Sequence, residues 1–144
     1  MKSKKLLSII LALAMMFSVL PASTVLVYAD VITETISADT TWNDGDTVGG
    51  VTISGGTVTI NGNVGITAAI TIKGNVTFTG GGTLNRMSPS GNLIKVESGS
   101  LTLNNVTIDG NDVIISDSWT AAAINMADGT VIMNDGAKIT NHKR

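Results

Sequence analysis

An internal repeat constrains this chain more than any other feature. Val51 to Asn61 reads VTISGGTVTIN, Ile94 to Asn104 reads IKVESGSLTLN, and Ile124 to Asn134 reads INMADGTVIMN. All three obey one spacing: apolar, any, apolar, any, any, Gly, any, apolar, any, apolar, Asn. The matched glycines are Gly56, Gly99 and Gly129, and the matched asparagines are Asn61, Asn104 and Asn134. Ile70 to Phe78 is a shortened relative whose linker has lost one residue. The copies start 43 and 30 residues apart, so insertions are expected between them. Repetition of strand-like units without helices is the signature of a solenoid.

The spacing has a direct physical reading. Residues i and i+2 of a strand share a face, so each copy supplies two short strands with their apolar faces inward. Gly at the corner between them permits a positive φ that a β-carbon would penalise. Stacking would put Val58, Leu101 and Val131 in one internal column and Ile60, Leu103 and Met133 in the next, with Thr59, Thr102 and Ile132 facing outward. The equivalent asparagines either hydrogen-bond from rung to rung, as stacked amides do, or each caps its own turn. Thr, Val and Ile favour strands while Gly, Asn and Asp favour turns, so the expected fold is all-β, a solenoid of about four or five rungs.

Residues 1–29 stand apart. Lys2, Lys4 and Lys5 precede an apolar run from Leu6 to Leu20, Pro21 breaks it, and Val27-Tyr28-Ala29 offers a cleavage site. That order is a secretory signal peptide, with an uncleaved membrane anchor as the alternative. The expected localisation is therefore secreted or extracellular, with membrane contact only through the signal during export. Its removal takes three of the nine basic residues and none of the eleven acids, leaving six against eleven, a balance of −5. Nucleic acid is not an expected partner, because its phosphates need a basic surface. The chain has no cysteine, which excludes a disulfide scaffold and Cys-ligated zinc. Residues 30–48 read as an N-terminal cap with Trp42 covering the first rung, or as an ordinary edge strand and turn; 49–144 read as the rungs. Two loops are expected to project, Asn85 to Asn92 (NRMSPSGN) and Asp112 to Ala122, the second carrying Trp119.

The runs LTLNNVTIDGN (Leu101 to Asn111) and GTVIMNDGAKITNH (Gly129 to His142) resemble rungs of the right-handed parallel β-helix of pectate-lyase-like proteins. They are more closely similar to the adhesin-like surface proteins of Gram-positive gut bacteria and to autotransporter-type adhesins. The resemblance covers roughly residues 50–142 and is specific for architecture, not for activity. It implies a cell-surface module with a structural or adhesive role, contacting carbohydrate or a host surface protein. It further implies an N-terminal fragment, since the rung from Gly129 ends at His142-Lys143-Arg144 with no cap or attachment module. Such an open rung is expected to self-associate through its strand edge and through Val131 and Met133.

The alternative reading is a fragment of a β-helix carbohydrate-active enzyme, a polysaccharide lyase or glycoside hydrolase. Lyases of that fold commonly pair an exposed Arg or Lys base with acids that hold calcium. Here Arg86 is the only interior arginine and reads as a solvated loop residue. Asp109, Asn111 and Asp112 offer hard oxygen ligands suited to calcium, but DGND is also an ordinary turn sequence. Glu97 is the one Glu in the repeat region and His142 the one histidine, so neither a carboxylate pair nor a triad is evident. No catalysis and no cofactor are expected.

Overall fold

The computed structural model describes residues 30–114 and 121–143. The signal-like segment 1–29 and Trp119 lie outside the described residues. Among the described residues there are sixteen short β-strands and no helix. The first coil supplies β1 (Val31–Ile32), β2 (Thr35–Ile36) and β3 (Thr40–Trp42). The second supplies β4 (Thr47–Val48), β5 (Thr52–Ile53) and β6 (Gly56–Ile60), and the third β7 (Asn63–Ile66), β8 (Ile70–Ile72) and β9 (Asn75–Thr79). The fourth holds β10 (Thr83–Arg86), β11 (Ile94–Val96) and β12 (Ser100–Leu103). The fifth holds β13 (Thr107–Asp109), β14 (Ile124–Met126) and β15 (Thr130–Met133), and β16 (Lys138–Thr140) follows.

Each strand from β1 to β13 pairs in parallel with the strand three places later. Three parallel sheets result: sheet A is β1-β4-β7-β10-β13-β16, sheet B is β2-β5-β8-β11-β14, and sheet C is β3-β6-β9-β12-β15. The arrangement is solenoid-like, each coil giving one strand to each sheet. Residues 30–48, read above as a cap, supply a whole first coil and begin the second. Trp42 is an inward residue of β3, opposite Ile60 and 1 % exposed, and its ring meets Phe78 edge-on at 5.9 Å.

Alternation puts one side of every strand inside. Val48, Ile53, Val58, Ile66, Ile72, Phe78, Leu84, Val96, Leu101 and Ile108 are all buried. Each such side chain contributes about 1.5–3 kcal/mol relative to exposure. Burial loosens in the last coil, where Val131 is half-buried and Met126, Ile132, Met133 and Ile139 are exposed. There Ile124, Met126, Val131, Met133 and Ile139 line a hollow of about 380 Å³.

The register departs from the sequence alignment by two residues. Leu101 lies opposite Val76 and Val131, while Val58 lies opposite Phe78, which faces Leu103. The corner between sheets B and C explains the shift. Ile53, Ile72 and Val96 are aligned, and so are Gly56, Val76 and Leu101, so the corner grows by one residue at each of the two steps. A total shift of two preserves side-chain parity, and Val58 and Leu101 both remain inward and buried. The expected column of Ile60 with Leu103 and Met133 fails for the same reason, since Leu103 sits between Phe78 and Met133. The 43-residue offset between the first two copies is also not a simple insertion. The shortened relative at 70–78 is itself the intervening coil, as β8 and β9.

Gly56, Gly99 and Gly129 all adopt positive φ, at 95°, 77° and 102°. A β-carbon on Gly129 would meet the Gly99 carbonyl, and one on Gly99 the Gly74 carbonyl, so the corner stacks backbone on backbone. Gly56 stacks instead on Ala38. Neighbouring Asn104 and Asn134 form the expected amide ladder, with Asn134 Nδ2 donating to Asn104 Oδ1. Asn61 lies two coils away from Asn104, where its N–H bonds the Trp42 carbonyl at 2.9 Å.

Candidate functional site at the loop-bearing corner

The coils lengthen at one place. Connections from sheet A to sheet B run 33–34, 49–51, 67–69, 87–93 and 110–123, rising from two residues to fourteen. The B-to-C and C-to-A connections never exceed four. In solenoids, insertions gathered on one side build the surface that contacts partners, so the A-to-B corner is the candidate site.

Arg86 organises it. At the end of β10 it occupies the inward position opposite Ile66. The expectation of a solvated loop arginine is corrected: Arg86 is 2 % exposed. Nη1 donates to the Ser88 carbonyl at 3.2 Å and the Gly91 carbonyl at 2.9 Å, and Nη2 to the Ala122 carbonyl at 3.0 Å. One guanidinium thus holds the 87–93 loop to itself and to the end of the 110–123 connection. Burial pulls its pKa below the ordinary arginine value. No long-range sequence pattern marks this role; the signal available was parity, because Leu84 inward puts Arg86 inward. A guanidinium so engaged is not an exposed base.

Asp109 ends β13, the neighbour of β10, and Asn111 and Asp112 follow it. The Asn111 N–H donates to Asp109 Oδ1 at 2.7 Å, the bond of an Asx turn. Asn141 Nδ2 reaches both Asp109 oxygens at 3.0 and 3.1 Å, Asp112 pairs with Lys143 at 2.9 Å, and Asn111 Nδ2 donates to the Arg86 carbonyl at 3.3 Å. Asn111 and Asp112 hold positive φ of 54° and 51°. These oxygens are turned toward protein donors. Among the described residues no group of three His, Cys, Asp or Glu side chains could hold a metal. His142 packs nearby with both ring nitrogens buried and unpartnered among the described residues. Burial holds its imidazole below the ordinary value, the Arg86 charge adds to this, and Asp109 opposes it. On sheet B, Glu97 lies between Lys95 at 2.6 Å and Lys73 at 3.4 Å, and the Lys95 bond holds its carboxyl below the usual range.

Beside this corner the outer face of sheet A carries a groove of about 450 Å³, lined by Asp46, Thr47, Asn63, Asn85, Met87 and Asn111 with two glycines. Thr47, Gly65, Asn85 and Asp109 follow one another up this face. Gly65 opens it: the Met87 sulfur lies where a β-carbon on Gly65 would stand. Met87 is 56 % exposed. Asp44 Oδ1 accepts from the Asn63 N–H at 2.7 Å, and Asn85 Nδ2 approaches Asn63 Oδ1 at 3.5 Å. The groove therefore offers amides that donate and accept, one hydroxyl, one carboxylate and one thioether. None of Asn63, Gly65, Asn85 or Met87 sits in the repeated spacing; the loop expected over Asn85 to Asn92 starts only at Met87, since Asn85 and Arg86 belong to β10.

Fold and corner together define a class: an all-β repeat protein of parallel, solenoid-like stacking with its insertions gathered on one side. No protein-family model, curated protein or solved structure matches the chain.

Proposed function

We propose that the chain is a right-handed parallel β-helix exported to the cell surface, with a structural and adhesive role and no catalysis, contacting glycans or a host surface protein through the loop-bearing corner. The growth of the A-to-B connections from two residues to fourteen, beside a polar groove, carries this reading. The right hand is supported by the strong preference of parallel strand-to-strand crossovers for that sense. Export is supported by the basic, apolar and small-residue order of residues 2–29. Self-association through Met126, Met133 and Ile139 belongs to the same proposal. Absorption of Arg86, Asp112 and Glu97 into protein contacts speaks for adhesion over lyase chemistry.

A soluble-glycan array probed with the chain and its Asn85→Ala and Met87→Ala variants tests the reading. Binding to neutral glycans that falls at least several-fold in both variants supports it. Absence of binding to any glycan or host surface extract overturns it, as does turnover of a polysaccharide.

A further inference from the structure

We propose that the outer face of sheet C is a second contact surface, fitted to an uncharged polysaccharide presented as an ordered sheet or fibre. The inference rests on the surface-module reading above but uses a different face. Asn75, Ser100 and Thr130 form one outward column of sheet C, and two further columns lie beside it. In one, Thr57 lies opposite Thr77, Thr77 opposite Thr102, and Thr102 opposite Ile132. In the other, Thr41 lies opposite Thr59 and Thr59 opposite Thr79. Asn104 continues this column, its N–H bonding the Phe78 carbonyl, and the Asn134–Asn104 amide bond extends it to the last coil.

Parallel strands stack about 4.8 Å apart, and i to i+2 spans about 6.6 Å, so the threonine hydroxyl and methyl groups, which run over four coils, repeat as a lattice about 14 Å long. The strands of sheet C contain no charged residue, whereas sheet A carries Arg86, Asp109 and Lys138 and sheet B carries Lys95. The five threonines of the central coils are half-buried by their neighbours, which fixes their side chains, and Thr41 is exposed. Thr offers a hydroxyl that donates and accepts beside a methyl. A polysaccharide face alternates hydroxyl and C–H groups in the same way, and an uncharged partner matches an uncharged face. An anionic polymer finds no counter-charge on these strands, and the adjoining Asp39, which accepts from the Thr57 N–H at 2.7 Å, would repel it.

The test is retention of the chain on microcrystalline cellulose, with anionic polygalacturonate gel as comparison. Retention on cellulose that exceeds retention on the gel, and that falls at least tenfold in the Thr59→Lys, Thr77→Lys double variant, is the expected result. Both substitutions are outward, and an unchanged far-ultraviolet spectrum verifies the fold. Thr59→Ser, Thr77→Ser should retain most binding, since the hydroxyl lattice survives. Retention that survives the lysine variant, preference for the anionic gel, or no retention on cellulose overturns the inference. Soluble-glycan binding lost on Asn85→Ala, with no cellulose retention, would leave the function proposed above standing without this face.

Discussion

Replacing Arg86 by Ala should destabilise the chain by about 3 kcal/mol. Three hydrogen bonds from the guanidinium reach the carbonyls of Ser88, Gly91 and Ala122. Bonds from a charged donor are worth about 1.5–3 kcal/mol each, so their loss alone would amount to about 5–9 kcal/mol. Against this stands the burial penalty of the cation, several kcal/mol after relaxation, which the substitution removes. The net of about 3 kcal/mol is a large share of the roughly 5–15 kcal/mol available to a small domain. Urea unfolding followed by circular dichroism gives the change in midpoint. Hydrogen exchange locates it: amides of 87–93 and 121–123 should lose protection first, because the side chain pins both. Arg86→Lys should rescue only part, since one ammonium cannot span three carbonyls as the planar fork does. A loss below about 0.5 kcal/mol, the range for exposed surface changes, would show that Arg86 is a solvated loop residue and that the corner is not pinned through it.

Gly129→Val places a β-branched side chain at φ 102° against the Gly99 carbonyl, and a fall in melting temperature of about 5 °C or more is expected by calorimetry. In single-cysteine variants, Leu101→Cys should react slowly with a thiol reagent in the folded chain and Thr102→Cys quickly, because Leu101 is 0 % exposed and its neighbour points outward. His142 has a folded pKa below its ordinary 6.5. The unfolded state therefore takes up the proton first, so its stabilising share is present above about 6.5 and lost as pH falls from that value through the lower folded pKa. His142→Asn should flatten the slope of urea midpoint against pH between 7 and 5.5. Met133→Glu should lower the concentration-dependent mass seen by light scattering, because Met133 is 47 % exposed on the last coil.

Strand identity and facing were legible in the sequence because they depend only on alternation and on Gly at corners. Val58 and Leu101 inward, Thr59 and Thr102 outward, and positive φ at the three matched glycines all follow from local rules. Register was not legible. It depends on how many residues each corner spends, and the B-to-C corner adds one residue from the second coil to the third and one from the third to the fourth, but none from the fourth to the fifth. The coil at 70–79 was visible only as a shortened relative, so its place between the first two copies was missed. The corner site was half legible. The two long loops appeared as strandless stretches, but Arg86 was assigned by residue type to solvent when its parity with Leu84 points inward. The groove at Gly65 was invisible, since it arises from residues of four coils brought together by stacking.

The chain has no native cysteine, so pairwise cross-linking tests the stacking directly. Thr77 and Thr102 are opposed in adjacent coils, about 4.8 Å apart, within the Cα range that a disulfide accepts. Thr79 and Thr102 are a diagonal pair at about 8 Å, beyond it. The Thr77→Cys, Thr102→Cys variant should close an intramolecular disulfide rapidly under mild oxidant, and the Thr79→Cys, Thr102→Cys variant should not. Rapid closure of the second pair with none in the first would contradict the parallel three-sheet register on which the corner, the groove and the threonine columns all depend.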